Sequence, residues 1–311
     1  MITLASTSVA VRIDPTHGAE VLDLIDLRSG RQLLGRPPFA SDEPRGGELD
    51  ETTWTRSYRG GWQVLVPNAG NACVVDGAAH GFHGRASTDR WEVAEQTPDA
   101  ATLLWTGHGL QVKRAFQLSS DTVTVNTTVT AERTVPLVWV EHVGLGIELL
   151  DPTVEITLPG GLAYELDERT GPTEPPPDAT TWPEVRLLDG TIEPADRHEL
   201  RSPRGRLLVV ANLPEGRLTV HNRDHGQGIA LTWDTSWLPH MWMWHEVRTS
   251  GGPWREMAET LVVEPASVPH TLGLATAQAH GQAHVLEAGE QRTTELTLRP
   301  LLDRKDPVLD R

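Results

Sequence analysis

Leu110-Gln111-Val112-Lys113-Arg114-Ala115-Phe116-Gln117-Leu118 and, after Ser119-Ser120-Asp121, Thr122-Val123-Thr124-Val125-Asn126-Thr127-Thr128-Val129-Thr130 decide the fold class of this chain. Both stretches alternate at period two, which puts successive side chains on opposite faces of a half-buried strand. Working outward, Val9-Ala10-Val11-Arg12-Ile13, Leu207-Leu208-Val209-Val210-Ala211, Arg217-Leu218-Thr219-Val220-His221 and Gly228-Ile229-Ala230-Leu231-Thr232-Trp233 continue the theme, bounded by Gly, Pro, Asp or Asn turn chemistry. Short strands recurring at intervals of roughly ten residues, with no long amphipathic helix between them, argue against βαβ architecture. The expectation is an all-β protein built as a large antiparallel β-sandwich or barrel.

Composition narrows the function. A formal charge of -16, from 43 acidic against 27 basic residues, repels phosphate backbones and anionic lipid, so neither nucleic acid nor a membrane surface is an expected partner. Cys73 is the single cysteine, which forbids an internal disulfide, and no Cys/His cluster or HExxH pattern has metal-ligand spacing. No metal is expected, and a reducing compartment fits. Met1-Ile2-Thr3-Leu4-Ala5-Ser6 lacks a basic signal-peptide region and leads into the Val9–Ile13 alternation, and nowhere do about 18 apolar residues run together. The expected location is therefore cytoplasmic. Tryptophan is over-used, 11 against 2 Tyr and 3 Phe; its wide apolar face suits the C–H face of a sugar, although filling a sandwich core accounts for most such residues.

Three islands carry candidate chemistry: His80-Gly81-Phe82-His83-Gly84-Arg85, Val140-Glu141-His142-Val143-Gly144 and Val262-Val263-Glu264-Pro265. Imidazole and carboxylate are the usual side chains for proton transfer near neutral pH. Groups so far apart in the chain meet only if the fold gathers their strands. Alternation sends Glu141 and His142 to opposite faces of a sheet. A histidine in a strand is more often a satisfied core or surface residue than a catalyst, and Glu264 could equally be a surface carboxylate at a strand end stopped by Pro265. The islands therefore matter as an ordered set.

In order, they resemble the aldose 1-epimerase (galactose mutarotase) superfamily, and most of all its branch related to hexose-phosphate mutarotases. In that branch an Arg-Gly-Gly segment and a Pro-containing turn precede a His-Gly motif and a Trp, as Arg59-Gly60-Gly61, Pro67-Asn68, His83-Gly84 and Trp91 do here. The branch spaces its motif as His83 is spaced from Trp91. Arg85 and Ser87, however, stand where that motif has Phe and Arg, while His80-Gly81-Phe82 copies its beginning in another register. Both histidines remain candidates. The resemblance implies a galactose mutarotase-like supersandwich and a cofactor-independent isomerase that interconverts the α and β anomers of a hexose or hexose derivative. Glu264 would take the anomeric hydroxyl proton and protonated His142 would supply the ring oxygen. Reference pKa values near 4.3 and 6.5 let both forms coexist without extreme tuning. His83, His80, Arg59, Arg85 and Asn68 would hold the substrate.

Within Asp234–His245, strand alternation puts His240, Trp242 and Trp244 on one face, a candidate sugar platform near Glu264, with core packing as the plainer alternative. Arg56, Arg59, Arg85 and Arg90 gather near the first island, and guanidinium forks fit phosphate, sulfonate or carboxylate, so the monosaccharide could be anionic or the cluster ordinary surface charge. A non-catalytic carbohydrate-binding sandwich and a glycan lyase or hydrolase are the alternative functions. Gly171-Pro172-Thr173-Glu174-Pro175-Pro176-Pro177-Asp178 is the strongest linker signal. With His142 before it and Glu264 after it, it reads as a surface loop in one domain, residues 1–302, followed by a charged tail, 303–311. Either a monomer or a homodimer is compatible with these features.

Overall fold

The structure, a computed structural model, describes residues 1–37, 46–251 and 256–303. The two diagnostic stretches form neighbouring strands, Leu110–Ser119 and Thr122–Ala131, paired antiparallel from Leu110 with Ala131 to Ser119 with Thr122. Their residues alternate largely between buried, mostly apolar positions and accessible, mostly polar ones, as a sheet with one covered face requires. They belong to a nine-stranded sheet; a second sheet has thirteen strands among the described residues. Val112, Phe116, Val125 and Leu298 of the first and Val143, Met241, Met243 and Val263 of the second share one apolar cluster, the core between the sheets. This is the all-β sandwich that the periodicity predicts, and among the described residues every pairing within the two sheets is antiparallel except Tyr164 with Arg186. The Val9–Asp14 strand is preceded by another, Ile2–Ala5, with which it forms a hairpin.

The larger sheet is covered on both faces, and this positions the site. Its central strands run in the order Val9–Asp14, Glu20–Asp26, Trp62–Leu65, Val140–Leu145, Glu259–Ala266, His240–Val247, Arg204–Ala211, Leu162–Leu166. All six residues of Val140–Leu145 are buried, so its alternation of burial is lost although its alternation of direction persists. Val143 packs into the inter-sheet core, while Val140, Trp242, Val209 and Tyr164 join a second cluster on the far face with Trp54 and Tyr58. Trp54 comes from the two-turn helix Glu51–Ser57, whose start is capped by Asp50 accepting from the Thr53 N–H at 2.7 Å.

Glu141 points into the inter-sheet core. Its carboxylate accepts from Arg114 of the opposing sheet at 3.0–3.1 Å and from the indole N–H groups of Trp62 and Trp139 at 2.6 and 3.2 Å. The proline-rich segment 171–178 has no regular structure, and the strands it links, Leu162–Leu166 and Thr180–Thr181, pair with each other. Strands from both sides of it are neighbours in the larger sheet. Of the tail expected from Asp303 onward, residues 304–311 lie outside the described residues.

Candidate active site

One row of side chains crosses the far face of the larger sheet. Asp14 pairs with Glu20, Gln63 with His142, Glu264 with Trp242, Trp242 with Val209, and Val209 with Tyr164. The register between Val140–Ala266 and Val143–Val263 sets His142 across from Glu264. Gln63 Nε2 donates to Glu20 Oε2 at 3.1 Å, closing the remaining gap. Directly opposed residues of antiparallel strands have Cβ atoms about 4.5–5.5 Å apart. The sheet itself therefore delivers His142 and Glu264, far apart in the chain, as neighbours.

Above this row lies a cavity of about 780 Å³ lined by His83, His142, Glu264, Trp54, Trp242 and Trp244, a volume typical of small-molecule sites. Its lining also includes the charged residues Glu51, Arg56, Glu168, Arg169 and Glu246. His142 is almost wholly buried, and its Nδ1 lies 3.1 Å from Gln63 Oε1. Trp54 and Tyr58 present ring edges to it at centroid distances of 5.9 and 5.4 Å. Tyr58 can approach because position 144 is glycine: a Cβ there would sit 2.6 Å from the tyrosine oxygen. Burial drives the His142 pKa down to about 3.

His83 reaches the cavity from a turn. Its φ is +63°, in the left-handed region, and its Nδ1 accepts from the Gly70 N–H at 3.0 Å. Gly70 is itself at φ +79°, and a Cβ there would overlap the Thr271 carbonyl at 1.9 Å. The His83 ring packs edge-on against Trp54 at 4.4 Å and lies 5.8 Å from His142, and burial pushes its pKa well down. Glu264 is 4% exposed and its Oε2 has no hydrogen-bond partner. Burial, reinforced by the charge of Glu168, raises its pKa well above the usual carboxylate range. The expectation of modest tuning is thus corrected. Both groups are pushed toward their neutral forms, because neither ion has a compensating partner.

Trp242 and Trp244 both line the cavity, with Trp242 held by an Nε1–H bond to the Val268 carbonyl at 2.8 Å. His240, on the same face, instead accepts from the Asn212 N–H through Nδ1. Four expected substrate contacts do not line the cavity. His80 stacks on His108 at 4.4 Å, outside the cavity that His83 lines. Asn68 is consumed by the loops beneath it: it donates to the Asn71 and Gly81 carbonyls and accepts from the Leu274 N–H. Arg85 pairs with Asp89 at 2.9 Å. Arg59 is buried between Asp14, at 2.7 Å, and Glu20. Its guanidinium neutralises the end of the polar row and does not line the cavity. Trp54, Gln63 and Glu20 belong to the site without having been expected. The early signal was adjacency to the Arg-Gly-Gly segment for Gln63 and the Asp50 cap of a short helix for Trp54, while Glu20 carried none. Among the described residues no three or more His, Cys, Asp or Glu side chains are grouped to hold a metal ion.

Residues 28–299 match the family model described as domain of unknown function (DUF4432). The chain belongs to this family. No curated protein matches this DUF4432 chain. Among solved structures it is similar to the Slr1438 protein of Synechocystis sp. PCC 6803, with a TM-score of 0.68 and 18% identity over 97% of this chain and 96% of that one. It is also similar to galactose mutarotase-like proteins from Clostridium acetobutylicum (TM-score 0.66, 14% identity, 97% and 95% coverage) and Lactobacillus casei ATCC 334 (TM-score 0.62, 18% identity, 97% and 100% coverage). These likenesses establish the fold: this DUF4432 chain has the galactose mutarotase-like β-sandwich.

Proposed function

We propose that this protein is an aldose 1-epimerase acting on the pyranose form of a hexose. The observation that carries the reading is the placement of His142 opposite Glu264 at the floor of one cavity. A sugar lying there would have the anomeric hydroxyl and the ring oxygen within reach of two groups able to exchange protons, one an acid and one a base. That is the whole requirement for opening a hemiacetal to its aldehyde, rotating about C1–C2 and closing the other anomer. Trp242 and Trp244 supply a stacking wall and His83 a hydrogen bond to the sugar.

An inert binding module would gain nothing from a buried carboxyl oxygen without a partner, which costs stability unless a ligand or a reaction uses it. The substrate that fits best is neutral. Glu51, Glu168, Glu246 and Glu264 outnumber Arg56 and Arg169 around the cavity, while Arg59 and Arg85 are committed to carboxylates elsewhere. The test is polarimetry on freshly dissolved single anomers of neutral and 6-phosphorylated hexoses. The expected result is faster approach to anomeric equilibrium for a neutral hexose, with the phosphorylated sugar handled less well. Binding without acceleration would favour the carbohydrate-binding alternative, and new unsaturated or shortened products from glycans would favour a lyase or hydrolase.

A further inference from the structure

The atom that begins the reaction is set by a chain of hydrogen bonds behind His142. Gln63 Nε2 lies against the Gly60 carbonyl, an oxygen that can only accept, and also donates to Glu20 Oε2. The amide of Gln63 is therefore oriented with its nitrogen away from His142. Its oxygen, also unable to donate, is what meets His142 Nδ1. Glu20 is in turn pinned by Arg59, which bridges it to Asp14. Gln63, Glu20, Arg59 and Asp14 are all buried, so water does not compete for these contacts.

Resting on the aldose 1-epimerase reading, we infer that Gln63 is a positioning residue that fixes His142 as its Nδ1–H tautomer, so that Nε2 enters the cavity as a proton acceptor. His83 has the opposite polarity. Its Nδ1 accepts from Gly70, so its neutral ring carries the proton on Nε2 and donates. The two imidazoles facing the cavity are thus one acceptor and one donor, each set by a single contact at Nδ1.

This reverses the roles that the resemblance implies. His142 Nε2 takes the proton of the C1 hydroxyl; the O1 electron pair forms the C1–O1 double bond as the C1–O5 bond breaks; and O5 takes a proton from the Glu264 carboxyl. The open-chain aldehyde then faces a Glu264 carboxylate and a His142 imidazolium. After rotation about C1–C2, the O5 hydroxyl returns its proton to Glu264 as it attacks C1, and the imidazolium protonates O1. No proton is gained or lost, and the site is reset. The requirement at the start is a carboxyl that can donate, which the partnerless, buried Glu264 provides.

The test is nitrogen-15 NMR of histidine-labelled wild-type protein at pH 7, with the His142 signals assigned by their absence in His142→Gln. The expected spectrum is a neutral ring with protonated Nδ1 and bare Nε2. An Nε2–H tautomer or an imidazolium would overturn the inference, and this readout needs neither a substrate nor a variant at position 63. In kinetics, Gln63→Leu should lower kcat by about 10–100-fold with KM little changed, the range found when groups that orient metal-bound imidazoles are removed. Loss of KM alone in Gln63→Leu would count against a positioning role. If the tautomer is as expected but no anomer exchange occurs, the functional reading fails and this one stands; the converse pattern separates them the other way.

Discussion

Replacing Arg114 by Met tests whether Glu141 and His142 are divided between core and cavity as described. Arg114 is 1% exposed, makes three of the five hydrogen bonds received by the Glu141 carboxylate and lies over the Trp62 and Phe116 rings at 5.4 and 5.5 Å. Met fills much of the aliphatic volume but leaves a carboxylate between two sheets with only two indole donors. Breaking a buried pair in this way costs about 3–5 kcal/mol. The penalty comes from the stranded charge and not from lost packing, so Arg114→Met/Glu141→Leu should recover most of it. Urea denaturation of the wild type, both single variants and the double variant at pH 7 measures the cycle. A single-variant loss below about 1 kcal/mol, the worth of an exposed pair, or a double variant no better than Arg114→Met, would refute the reasoning.

Other consequences concern pH, ligand contacts and backbone. Burial lowers the pKa values of His142 and His198 to about 3 and of His240 to about 4. Between the unfolded value near 6.5 and these folded values the unfolded chain binds more protons, so stability is fully present above pH 6.5 and falls with acidification, by about 1.4 kcal/mol per pH unit for each group. Glu264 opposes this with the reverse sign, because its raised pKa makes the folded state bind the extra proton. Denaturation midpoints should still decline steadily from pH 6.5 to 4.5, and a flat profile would contradict the buried neutral imidazoles. His83→Ala should raise KM for the sugar, whereas His80→Ala should leave anomer-exchange kinetics near wild type; the opposite ranking would restore His80 as the site histidine. Gly70→Ala should destabilise by more than about 1 kcal/mol, since it combines a positive φ with overlap on the Thr271 carbonyl, and equal thermal midpoints for the two proteins would count against that geometry.

What was legible in the sequence, and what was not, follows from the range of the interactions. The strands of the nine-stranded sheet carry their alternation locally because one face is covered and the other open. Val140–Leu145 is buried on both faces, so His142 was found through its motif and not through periodicity. The spacing to Trp91 aligns His83 with the family motif but leaves His80 open, since only the fold shows that the Trp91 indole N–H binds the Ala86 carbonyl beside the turn carrying His83. Arg59 was misread because an arginine near a motif suggests a ligand contact, while its partners Asp14 and Glu20 lie on strands whose pairing no local pattern reveals. Gln63 escaped for the same reason. It becomes meaningful only once the Trp62–Leu65 strand is known to lie beside the His142 strand. Trp54 sits on a helix of seven residues, shorter than the window in which helical periodicity shows.

The most direct measurement is exchange NMR of the two anomers of a neutral hexose at equilibrium, in matched concentrations of wild type, Glu264→Gln and His142→Gln. The account predicts enzyme-dependent exchange in the wild type and a loss of about 10²–10⁴ in rate for each variant, the contribution expected of acid–base groups. Exchange in Glu264→Gln at the wild-type rate would contradict it.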